Sequence, residues 1–84
     1  MKAFNATDVK VGFRFDEFRF WFKEVIEVIK SNTEKLLVKV VEEDGFMSYI
    51  TFHVKDNGVI CDGTGMCYSH TTSRDDALYF FEQA

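Results

Sequence analysis

From Val9 to Phe15 the stretch VKVGFRF alternates. Val9, Val11, Phe13 and Phe15 fall on one side and Lys10, Gly12 and Arg14 on the other, the period-two signature of a half-buried strand. The next stretch, DEFRFWFKEVIEVIK, breaks that alternation. Wound as a helix, it gathers Phe18, Trp21, Phe22, Val25, Ile26, Val28 and Ile29 on one broad face. Arg19, Lys23, Glu24, Glu27 and Lys30 fall on the other, and only Phe20 is misplaced. As a strand it would put Glu24 on the side of Phe22 and Ile26. The periodicity therefore predicts a helix over 16–30, N-capped by Asp16 and ending near Asn32, although the β-branched run Val25, Ile26, Val28, Ile29 favours a strand.

Downstream, EKLLVKVVEE is apolar on both sides, with Leu36, Val38 and Val40 on one and Leu37 and Val41 on the other, as in a strand covered twice. The EDG at 43–45 offers turn chemistry, after which FMSYITFHV alternates with Phe46, Ile50, Phe52 and Val54 inward. The DNG at 56–58 tolerates the positive φ of a tight hairpin, so VICD is expected to return as the third strand of a meander. Ser73 and Asp76 have the spacing of a capping box, and the helix they open would bury Ala77, Phe80, Phe81 and Ala84.

The predicted order is β-α-β-β-β-α: an α+β domain of two layers, with an antiparallel meander and a C-terminal helix. If the second segment is a strand, the alternative is a small SH3-like β-barrel closed by the C-terminal helix. Over residues 17–84 the α-β-β-β-α order, with DGTG ahead of the last helix, is similar to a double-stranded-RNA-binding domain. Where that family opens its last helix with a lysine cluster this chain has SRDDA, so no RNA-binding residue carries over.

Eighty-four residues form one core, and residues 1–84 are read as a single compact domain. A hydrophobic share of 46% with ten Phe places the chain among folding sequences. Fourteen acidic against ten basic residues leave a net charge of −4, the wrong sign for a protein that neutralises phosphate or anionic lipid. Nucleic acid is thus disfavoured as a direct partner. The alternative of a nucleic-acid-binding domain would have to draw on Lys10, Arg14, Arg19 and Lys23. No apolar run reaches membrane-spanning length and the start MKAFNATDVK has no signal-peptide core, so a cytoplasmic protein with reduced cysteines is expected.

Candidate chemistry concentrates in CDGTGMCYSH at 61–70. Cys61, Cys67, His70 and His53 are suitable zinc donors, but C-x5-C-x2-H is not the short knuckle of structural sites. A two-residue Asn57-Gly58 turn would also send Cys61 and His53 to opposite faces. Cys67 beside His70 could make a thiolate and its base, yet no orienting group or oxyanion site is marked out. GTG lacks the remainder of a phosphate-binding motif. The preferred reading is a turn with packed cysteines, without cofactor, metal or catalysis.

The remaining signal points outward. Glu42, Glu43 and Asp44 cluster at a hairpin, and Met47, Tyr49 and Thr51 with Leu37 and Val41 make one sheet face unusually apolar. The fold or a homodimer could cover that face. The leading expectation is a non-enzymatic acidic interaction module, an inhibitor or adaptor docking on a basic protein surface. Glu42, Glu43 and Asp44 would steer it and Met47 and Tyr49 anchor it.

Overall fold

The computed structural model describes residues 4–16, 20–55, 58–60 and 68–83. It is an α+β arrangement of a four-stranded antiparallel sheet, a two-stranded ribbon and one C-terminal helix. The sheet holds β2 (Phe22–Ser31), β3 (Lys35–Glu42), β4 (Met47–His53) and β6 (Tyr68–Thr71), in that order. The ribbon pairs β1 (Phe4–Asn5) with β5 (Val59–Ile60), and α1 spans Arg74–Glu82.

Where a helix is expected over 16–30, the chain forms a strand from Phe22 to Ser31, and residues 17–19 of that span lie outside the described residues. The reason lies in its pairing with β3, which slips between Phe22 and Glu24, between Val25 and Glu27, and between Val28 and Lys30. Each slip inserts one extra residue, so three residues of β2 oppose two of β3. Phe22, Val25 and Val28 consequently share a face, and Glu24, Glu27 and Lys30 share the other. A bulged strand with a period of three presents nearly the hydrophobic pattern of a helix, and the β-branched residues decide between them. Asp16, expected as the N-cap, accepts a hydrogen bond from Arg14 Nε at 2.8 Å.

Bulges bend a strand and increase its twist. Here they curl the sheet until Phe22 on β2 reaches Tyr68 on β6, ring centroids 5.3 Å apart, past two intervening strands. The alternating segment 9–15 runs beside β2 without forming a long strand. The Gly12 N–H donates to Val25 O and the Phe15 N–H to Lys23 O. A turn at Val11–Gly12, with Gly12 at φ +94°, turns Val11 out to solvent while Val9 and Phe15 stay buried.

β3 and β4 form the expected hairpin, with Val41 opposite Met47 and Leu36 opposite Phe52. The third meander strand is not VICD. The Gly58 N–H donates to Lys55 O and the Ala6 N–H to Gly58 O, which leads β5 onto β1, and the place beside β4 goes to β6.

The sheet is covered on both faces, as the two-sided apolar pattern of β3 requires. On one, Phe4 of the ribbon joins Phe15, Phe20, Phe22, Val25, Val38, Val40, Ile50 and Phe52 in an aromatic-rich core. On the other, Ala77 and Phe81 of α1 bury Leu37, with Ile29, Tyr49 and Leu78 around them. Ser73 opens α1 as expected, its Oγ accepting from the Asp76 N–H at 3.3 Å. Phe80, expected in the buried stripe, is 40% exposed, and Ala84 lies outside the described residues.

Candidate functional site

The β3–β4 hairpin turns through Glu43, Asp44 and Gly45. The Gly45 N–H donates to Glu42 O and the Glu42 N–H to Phe46 O, closing a three-residue loop in which Gly45, at φ +89°, takes the left-handed position. Asp44 Oδ1 accepts from the Phe46 N–H at 3.0 Å and fixes the loop. Past that point the chain overhangs both cores. Phe46 is 53% exposed and Met47 48%, and neither belongs to the aromatic core or to the cluster under α1.

Glu43 and Asp44 are exposed and Glu42 is half-buried. Among the described residues no ion pair engages any of the three. The structure therefore brings Glu43, Asp44 and Met47 together at one tip. Tyr49 stands apart from them. It is half-buried against α1 with Lys39 Nζ 5.8 Å from its ring centre, so the fold itself covers that part of the apolar face.

Phe46 is the residue that alternation misplaced. It shares the parity of Ile50 and Phe52, which are buried, but it precedes the first strand residue and is left 53% exposed. The signal for it was the loop length. Once Gly45 is the left-handed residue of a three-residue loop, Phe46 pairs with Glu42 at the mouth of the hairpin rather than in its middle.

Arg14, Arg74 and Lys30 are engaged by carboxylates of the chain. Arg14 donates to Asp16 and, through Nη1, to Glu24 Oε1 at 2.7 Å. Its hydrogen bond with the Asp16 carboxylate, strengthened by their opposite charges, raises the guanidinium pKa and holds the carboxyl below the usual aspartate value. Arg74 makes a two-pronged bond to Glu27, at 3.2 and 3.1 Å, that lowers the Glu27 pKa in the same way. Lys30 pairs with Glu82. Arg14 and Lys23 share a groove of about 360 Å³ with Glu24, Glu42 and Glu43, so acids stand among the bases that a nucleic-acid face would use. Lys10 is exposed, and Arg19 lies outside the described residues.

Of the donors weighed for zinc, Cys61 and Cys67 lie outside the described residues. His53 shares the parity of Thr51 on the helix side of β4, whereas His70 lies opposite Ile50, on the aromatic side. The two imidazoles are thus directed to opposite faces. No group of three or more His, Cys, Asp or Glu side chains comes together among the described residues. No helix among them is long and apolar enough to cross a membrane. No family model matches the chain, and no curated protein and no solved structure matches it.

Proposed function

We propose that the protein is a cytoplasmic, non-enzymatic interaction module whose β3–β4 hairpin docks on a basic surface of a partner protein, as an inhibitor or adaptor would. The observation that carries this reading is the meeting of two large exposed side chains, Phe46 and Met47, on one turn with the carboxylates of Glu43 and Asp44, which no ion pair engages among the described residues. Exposed apolar side chains rimmed by charge are the composition of a recognition patch. The Phe46 ring and the Met47 thioether supply burial, and the carboxylates draw in a cationic surface and speed encounter. Glu42 supports the turn through its backbone and adds its charge at the edge. The anchors are Phe46 and Met47, and Tyr49 holds the hairpin against α1.

The test is capture of partners on the tagged chain from host lysate after nuclease treatment, followed by measured association of the recovered protein. A single protein partner is expected, with an association rate that falls as salt rises. Reversal of Glu42, Glu43 and Asp44 to Lys should slow association about tenfold or more, and Phe46→Ser with Met47→Ser should raise the dissociation rate with the fold unchanged by circular dichroism. Unchanged binding after both sets of substitutions would sink the reading.

A further inference from the structure

β6 is the last strand of the sheet, and among the described residues no backbone hydrogen bond reaches its outer side. Natural sheets cover, twist or charge such an edge. This one is instead bordered by exposed rings on both faces. On the helix side, a groove of about 290 Å³ runs between β6 and α1, with His70, Thr71, Asp76, Tyr79 and Phe80 in its walls. Tyr79 is 70% exposed and Phe80 40%. On the aromatic side Trp21, 38% exposed, stands edge-to-face against His70 with centroids 4.7 Å apart. A strand laid along β6 would send alternate side chains to the two faces, one set toward Tyr79 and Phe80 and the other toward Trp21.

The charge in the groove identifies the occupant. Asp76 lies in its wall with Asp75 next to it in the chain, and no ion pair engages either carboxylate among the described residues. A second copy pairing through β6 would bring its own Asp75 and Asp76 to the same junction, on a chain already at −4. A segment carrying Lys or Arg would satisfy Asp76 and could lay its cation over the Tyr79 ring, the Phe80 ring already having Lys35 Nζ 5.5 Å from its centre. We infer that the outer edge of β6 takes up an extended basic segment of a partner protein as a fifth strand of the sheet. Its alternate side chains lie against Trp21 and against Tyr79 and Phe80, with a Lys or Arg at Asp76. The backbone bonds supply affinity and the two aromatic faces select the side chains. This site shares no residue with the hairpin tip and does not rest on the reading given to it.

The experiment is selection of random octapeptides displayed on phage against the immobilised full chain, followed by titration of the recovered peptide, fluorescently labelled, and by ¹H–¹⁵N spectra. The expected peptides alternate apolar or aromatic residues with Lys or Arg and shift the amides of Ser69, His70 and Thr71 and the Trp21 indole. Methylating alternate backbone nitrogens of the peptide should weaken binding about tenfold or more, since it removes the strand's donors and leaves its charge. Tyr79→Ala and Asp76→Asn should each weaken it about threefold or more, while Phe46→Ser leaves it unchanged and so keeps this site separate from the hairpin. The proposal is overturned if no peptide is enriched over an unrelated immobilised protein, if the enriched peptides are acidic, or if the methylated peptide binds equally well. It is equally overturned if the chain alone sediments as a dimer whose β6 amides are protected, because the occupant is then a second copy.

Discussion

Phe22 and Tyr68 meet edge-to-face at 5.3 Å although β3 and β4 lie between their strands. Phe22 also packs on Phe15, Phe20, Trp21 and Phe52, with centroid distances from 4.7 to 6.0 Å, and is fully buried. The curl of the sheet and the filling of its concave side therefore depend on one ring. Phe22→Ala should cost about 3–5 kcal/mol, the usual loss for a buried phenylalanine. For a chain of this size that is enough to lose the cooperative transition in urea, and loss of less than about 1 kcal/mol would contradict the packing described.

Ser48 stands opposite Val40, fully buried, and its hydroxyl has no hydrogen-bond partner among the described residues. A buried hydroxyl without a partner keeps its desolvation cost. Ser48→Ala is expected to raise stability by about 1 kcal/mol, read as a higher urea midpoint with an unchanged slope. A destabilised variant would mean that the hydroxyl is satisfied in solution.

Lys35 reaches from the first residue of β3 to the end of α1. Its Nζ donates to Phe81 O at 3.3 Å and to Gln83 O, and lies 5.5 Å from the centre of the Phe80 ring. The cation meets carbonyls that a helix of nine residues leaves without internal partners, at the negative end of its dipole. Lys35→Met should cost about 0.5–1 kcal/mol and speed amide exchange in the last turn of α1 while the β3–β4 amides stay protected.

Acid should weaken the fold through two carboxylates. The Asp16 and Glu27 pKa values are lowered, first by hydrogen bonds to Arg14 and Arg74 respectively. In the unfolded chain these groups take up protons near their ordinary values, while the folded chain still excludes them. Their contribution is therefore complete above the unfolded pKa values and declines as pH falls from about 4.5 through the lowered folded values. Both groups are exposed, so the effect is small. Asp16→Asn and Glu27→Gln should flatten the acid limb of the urea midpoint against pH and leave the region above pH about 6 with a uniformly lower midpoint. An unchanged acid limb in the double variant would remove these pairs from the account.

How much of this was legible in the residues varied with the kind of interaction. The two-sided apolar run of β3 announced a strand between two layers, and the EDG loop announced its hairpin because glycine alone takes the left-handed φ there without strain. The start of α1 was readable from Ser73 and Asp76. Pattern failed where pairing geometry replaced ideal alternation: three bulges gave β2 a helical signature, and β5 went to a partner strand of two residues that no periodicity reveals. The hairpin acids were visible as a charge cluster, whereas the exposure of Phe46 depended on where the two cores end. The β6 edge was hidden for the same reason, since β5 pairs with β1 and the place beside β4 is taken by β6.

The repeated bulge makes β2 modular in units of three residues. Each triplet supplies one side chain to the face of Phe22, one inserted residue and one side chain to the helix side, as in Val25, Ile26 and Glu27 followed by Val28, Ile29 and Lys30. Removing a whole triplet, with two residues from the facing strand, would shorten the sheet while every surviving side chain kept its face. Deleting only an inserted residue such as Ile26 would instead leave Val25 opposite Val40 and Glu27 opposite Lys39 and remove the bulge between them. The strand can therefore shorten by a triplet and keep its curl, or by one inserted residue and keep its faces while it straightens.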